Sequence, residues 1–177
     1  MKYNVAQLLK GTTGGMRHHT IHEDVSDLDP DLVPLSNLDG EVTLIRTADG
    51  ILVTGQFHLS AELTCSRCLE PFALPLQFTL EEEFRPSIDI ITGVHRPITG
   101  DDEPATRIDA HHTLDLREVV RQQVLLALPI NPVCRSKCAG LCPVCGRNWN
   151  EVTCDHGEPE GDPRLAVLKQ LYGAGSE

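Results

Sequence analysis

Aromatic residues are scarce: Phe, Trp and Tyr make up 4% of the 177 residues, with a single Trp. That argues against a platform on which single-stranded bases stack. Basic side chains are also few, 15 Lys and Arg against 26 Asp and Glu, for a formal charge of −11. A bulk surface of that sign repels phosphate backbones. Long hydrophobic runs are missing, and the longest, Val124–Ile130, is far too short to span a bilayer. The opening MKYNVAQLLKG has neither the apolar region nor the small-residue cleavage site of an export signal, so a cytoplasmic location is expected. Phosphate loop, dinucleotide fingerprint, nucleophile elbow and zinc-protease helix are lacking too. Neither an enzyme nor a small-molecule substrate is expected.

Cysteine is what the chain does have. Seven thiols without export are better read as metal ligands than as a disulfide framework. With 40% apolar and 23% charged residues the composition is globular, enough for one core plus a small annex. The charge is uneven. Residues 1–22 carry three basic groups and no acid, while residues 23–132 carry seven basic groups and twenty acids. Residues 133–150 return to +3 through Arg135, Lys137 and Arg147, and residues 151–177 carry −4. A short basic, cysteine-rich segment therefore sits on an acidic protein.

Periodicity supplies the fold class. Val53, Gly55, Phe57, Leu59, Ala61, Leu63 and Cys65 alternate with polar residues, the mark of a strand with one buried face. Phe72, Leu74, Leu76, Phe78 and Leu80 repeat the pattern, and only SRCLEP separates the runs, so an antiparallel hairpin with cysteines at its tip is expected. Val42–Thr47 precedes it through the Ala48-Asp49-Gly50 turn, and Arg17–Val25 is a further candidate strand. Residues 86–113 read as a long mobile loop. Asp115 and Glu118 have capping-box spacing ahead of a helix with Leu116, Val119, Val120 and Val124 on one face, ended by Pro129. A last helix is expected from Asp162, with Leu165, Leu168 and Leu171 on one face. The class is α+β: an antiparallel β-meander with a long packing helix over residues 1–132, then a cysteine-rich zinc-knuckle annex and C-terminal helix over 133–177.

The cysteines and one histidine give eight candidate ligands, enough for two closed tetrahedral sites. Leu141-Cys142-Pro143-Val144-Cys145-Gly146 has the form of a zinc knuckle. Two thiolates bite one ion, and Gly146 supplies a left-handed residue after the second. Cys142, Cys145, Cys154 and His156 are expected as one site. Cys65, Cys68, Cys134 and Cys138 form the other, clamping elements distant in sequence. Spacing leaves open whether Cys138 and Cys142 exchange partners, and four sulfurs would accept iron as well as zinc. A redox pair is the competing reading of Cys65 and Cys68, but such pairs open a helix rather than a strand-to-strand turn. His18, His19, His22, His111 and His112 lie in weakly patterned segments and are not read as a further metal site. Asn148 and Thr153 are candidate partners of the ligands.

The assembled motifs resemble the YceD family of ribosomal RNA accumulation proteins of bacteria and plastids. They are Leu63-Thr64-Cys65-Ser66-Arg67-Cys68-Leu69, Leu128-Pro129-Ile130-Asn131-Pro132, Cys134 to Gly146, Asn148-Trp149-Asn150 and the tail from Asp162 to Leu168. Family members often carry Cys where this chain has His156, itself an acceptable zinc ligand. The resemblance implies a non-enzymatic role in the synthesis, processing or stability of large-subunit ribosomal RNA. The implied partner is the pre-ribosomal particle, reached through RNA at the basic annex or through a basic ribosomal protein at the acidic body. In the latter case the chain would act as an acidic, chaperone-like binder.

Overall fold

The two alternating runs become the two longest strands of the molecule. The computed structural model describes residues 1–96 and 103–156. Its elements are β1 (Lys2–Asn4), α1 (Ala6–Lys10), β2 (Met16–Glu23), β3 (Val33–Pro34), β4 (Leu38–Arg46), β5 (Ile51–Thr64) and β6 (Pro71–Pro86). A single 3-10 turn (Pro104–Thr106), β7 (Arg107–Ile108), β8 (Thr113–Asp115) and α2 (Arg117–Ala127) follow. The helix expected from Asp162 lies outside the described residues.

Strands β2, β4, β5 and β6 lie side by side, each antiparallel to the next, and β3 extends the β4 edge by pairing with β5. This is the expected meander with one more strand, since β2 covers most of Arg17–Val25. The β5–β6 register runs unbroken from Ile51 opposite Phe84 to Thr64 opposite Pro71. That register puts Val53, Phe57, Leu59 and Ala61 on the same face as Leu76, Leu80 and Phe84, and all seven are buried. The Phe57 and Phe78 rings stack 5.4 Å apart on this face. Each buried Val, Leu or Phe of this set contributes about 1.5–3 kcal/mol by leaving water.

Helix α2 covers the core face with Val119, Val120 and Val124. Its start differs from expectation. Asp115 belongs to β8, and its carboxylate accepts the Arg117 N–H at 3.0 Å. Glu118 reaches forward to Arg121 (2.7 and 3.0 Å) instead of back to a cap, because a guanidinium one turn ahead is the stronger partner. Arg121 also binds Asp29 at 2.8 Å and Arg117 binds Asp27 at 2.9 Å, which pins α2 to the turn before β3.

The segment expected as a loop holds structure. Within 86–113, β7 pairs parallel with the end of β6, and Ile108 is completely buried. The N-terminus is a further departure. β1 pairs with β8, and Val5, Leu8 and Leu9 join the core. Both are short elements whose pairing partners lie far along the chain, where local patterning carries no signal. A second, smaller buried cluster stands beyond the hairpin tip: Cys65, Cys68 and Cys138, packed by Phe72, Val133 and Cys134.

Candidate metal centres

The structure brings the eight residues singled out in the sequence together as two groups of four. Within each group the ligand atoms lie within 4.8 Å of one another. The first is Cys65, Cys68, Cys134 and Cys138; the second is Cys142, Cys145, Cys154 and His156. Cys138 and Cys142 do not exchange partners. The histidines of β2 and of the turn before β8 join neither group.

In the first centre the Cys65 and Cys138 sulfurs are 3.8 Å apart, and those of Cys68 and Cys134 are 3.7 Å apart. A disulfide needs about 2.05 Å. A tetrahedral ion with metal–sulfur bonds of about 2.3 Å spaces its thiolates about 3.8 Å apart. The donor set therefore has the span of a four-thiolate site. Cys65, Cys68 and Cys138 are buried and Cys134 is partly so. In the second centre Cys145 and Cys154 stand 3.5 Å apart, but only Cys142 is buried, and Cys145 and His156 are exposed.

Both knuckles are the same turn. The Cys65 N–H donates to Glu70 O (2.9 Å) and the Leu69 N–H to Cys65 O (3.0 Å). In parallel, the Cys142 N–H donates to Arg147 O (2.8 Å) and the Gly146 N–H to Cys142 O (2.9 Å). The residue after the second cysteine is left-handed in each, with φ 71° at Gly146, as the sequence suggested, and φ 60° at Leu69. A Cβ there strains the backbone, so Gly146 is the relaxed choice and Leu69 the strained one.

Hydrogen bonds set the thiols apart. Backbone N–H groups of Cys68 and Cys134 aimed at its sulfur bring Cys65 down to about 6. The Asn150 amide lowers Cys138, and the N–H groups of Cys145 and Val144 lower Cys142. Burial, then the crowding sulfurs, push Cys134 up to about 12 and raise Cys154. Each group thus holds thiols ready to ionise beside thiols that resist it. A divalent cation would remove that conflict by compensating all the charges at once.

The surroundings tie the centres to the fold and to each other. The Ser66 N–H and hydroxyl both donate to Pro132 O (2.8 and 3.0 Å), and Arg67 donates to Cys138 O (3.1 Å). These bonds fasten the hairpin tip to the chain beyond α2. The Asn150 amide donates to Cys138 Sγ at 3.3 Å and to Asn148 Oδ1 at 2.7 Å, while its oxygen accepts the Ala139 N–H at 2.9 Å. Asn150, in the segment just after the second knuckle, thus holds a sulfur of the first group. Asn148 acts through it, and among the described residues Thr153 has no bond to a sulfur. Asn150 and Arg67 were missed as partners because their reach depends on tertiary placement. Gly140 (φ 77°) lets the chain pass under Arg67, whose carbonyl O would lie 3.2 Å from a Cβ.

Residues 53–172 match the family described as large ribosomal RNA subunit accumulation protein YceD. The chain belongs to the YceD family. An uncharacterized protein of Mycobacterium tuberculosis, Rv2926c, is 32% identical over 163 residues, spanning 90% of this chain and 75% of its own length. Uncharacterized protein YlbN of Bacillus subtilis is 29% identical over 122 residues, 67% of this chain and 66% of its own. The chloroplastic YCED homolog 1 of Arabidopsis thaliana, named a large ribosomal RNA subunit accumulation protein, is 39% identical over 58 residues, 33% of this chain and 18% of its own. No solved structure matches. The YceD name supports a ribosome-related role and describes an accumulation protein rather than an enzyme. No described helix is long and apolar enough to cross a membrane.

Proposed function

We propose that this YceD-family chain is a non-enzymatic accessory protein of ribosome biogenesis. It supports the synthesis, processing or stability of large-subunit ribosomal RNA in the cytoplasm. Two structural zinc ions belong to this reading, one on Cys65, Cys68, Cys134 and Cys138, the other on Cys142, Cys145, Cys154 and His156. Four protein donors fill the tetrahedron and leave no position for a reacting water, which favours structural over catalytic metal. Thiolate-rich donor sets favour zinc. On this reading residues 1–132 form the body and residues 133–177 the annex that the first ion locks onto the hairpin tip.

The observation that carries the proposal is the convergence of four cysteines from the two halves of the YceD match onto one largely buried point. The partner is the pre-ribosomal particle, met through its RNA or through a basic ribosomal protein. Depleting the protein in cells and measuring both ribosomal RNAs tests the role. The expected result is a fall in large-subunit RNA relative to small-subunit RNA, restored by the wild-type chain. An unchanged ratio contradicts the role. Thiol oxidoreductase chemistry is the rival, and alkylation under native conditions separates the two. Zinc-held thiols stay protected, whereas a redox pair reacts and cycles.

A further inference from the structure

The sheet has a second face, opposite the core. Outward positions on β2, β4, β5 and β6 carry five acids, Asp39, Glu41, Glu62, Glu81 and Glu83, against a single Arg, Arg85 at the end of β6, and no Lys. Two of the five are engaged. His22 Nδ1 lies 2.5 Å from Asp39, while Glu83 accepts the Thr47 hydroxyl at 2.8 Å and pairs with Arg85 at 3.7 Å. Among the described residues, Glu41, Glu62 and Glu81 have neither a side-chain hydrogen bond nor an ion pair.

Glu41 borders two hollows. One, of 680 Å³, is rimmed by Gln56, His58, Gln77 and Thr79; the other, of 220 Å³, continues over β2 and β4 past His18 and Thr20. The outward side chains around both are amides, hydroxyls, imidazoles and a carboxylate, and the apolar residues that also border them, Phe57, Phe78 and Val42, hold core-face positions in the strand register. The sign of the charge repels nucleic acid. A chain that brings cations and hydrogen-bonding groups at strand spacing complements this face.

We infer that the outer sheet face docks an extended, Lys- and Arg-rich segment of a partner protein, with Glu41, Glu62 and Glu81 meeting its cations. The inference deepens the ribosome-related reading and rests on it for its cellular setting. The test uses the full chain and a short fluorescein-labelled peptide of alternating lysine and serine, followed by anisotropy. A uridine oligonucleotide of equal length is the comparison ligand. Binding of the peptide but not the oligonucleotide is expected. Affinity should fall roughly tenfold or more in the triple variant Glu41→Gln, Glu62→Gln, Glu81→Gln, at unchanged thermal stability. A second triple variant, Asp31→Asn, Asp49→Asn, Glu70→Gln, removes the same charge from other exposed sites and should keep wild-type affinity. Equal loss in both variants, no peptide binding, or tighter binding of the oligonucleotide overturns the inference. Ribosomal RNA levels in depleted cells report separately on the parent reading. If wild type restores them but the peptide fails to bind, only the docking face is lost.

Discussion

The two cysteine knuckles share a backbone and differ in everything around it. Each closes with the same pair of hydrogen bonds and the same left-handed residue after its second cysteine. The knuckle at Cys65 caps a sixteen-residue strand, faces a buried cluster and meets cysteines roughly seventy residues away. The knuckle at Cys142 completes its set within fifteen residues and stays largely exposed. Spacing alone makes the turn. Burial and loop length set the two apart: the first group gathers segments distant in sequence at a buried point, the second closes a local surface loop.

The sharpest break of this contrast is deletion of each centre in turn. Cys65→Ser with Cys68→Ser should release one zinc and free residues 133–156 from the hairpin, forfeiting on the order of 10 kcal/mol of metal-linked stability. Amide exchange should then rise throughout the annex and at the ends of β5 and β6. Cys142→Ser with Cys145→Ser should also release one zinc, yet leave exchange in the sheet as it was. Equal damage from both pairs would erase the distinction.

Asn150 bonds a sulfur of the four-cysteine group from the segment that follows the second knuckle, so its loss should be felt at that group. Asn150→Ala is expected to weaken metal retention by the four-cysteine centre about 10- to 100-fold, read as faster transfer to a chromophoric chelator. The accompanying loss of stability should be about 1–2 kcal/mol. Unaltered transfer would reduce Asn150 to a packing residue.

Exchanging the left-handed residues probes the shared backbone. Gly146→Leu should cost about 1–2 kcal/mol in chemical denaturation of the annex. Leu69→Gly relieves strain of that size but frees the unfolded chain, for a net gain of at most about 1 kcal/mol. Leu69 is 62% exposed, so little packing is lost with it. A destabilised Leu69→Gly would mean that the leucine has a contact that outweighs its strain.

The smallest effect concerns the junction of α2 with the turn before β3. Asp29 is held below the usual carboxylate range by the Asp31 N–H and by Arg121, and Glu118 by Arg121. A depressed carboxylate stabilises the fold above its unfolded pKa, near 4, and that contribution is lost as pH falls through the folded value. The melting temperature should therefore drop below about pH 4 more steeply in wild type than in Arg121→Met. Parallel profiles would show that these pairs contribute nothing measurable.

Much of this was legible in advance, for identifiable reasons. The β5–β6 hairpin announces itself because a period of two over a dozen residues admits one buried face. The grouping of the cysteines and His156 into two fours was legible because thiols at short spacing have few other uses in such a chain. Pairing of β1 with β8 and burial of Ile108 were not legible, since two- and three-residue strands carry no period. The capping box failed because Glu118 had a better partner in Arg121 than the backbone could offer. Asn150 escaped notice because its bond to Cys138 exists only once the knuckle has folded back.

Native mass spectrometry of the intact chain, repeated on the two knuckle double variants, addresses the central claim most directly. Two zinc ions in wild type and one in each variant is the predicted result. A metal-free wild-type chain, or a count that neither pair of substitutions changes, would contradict it.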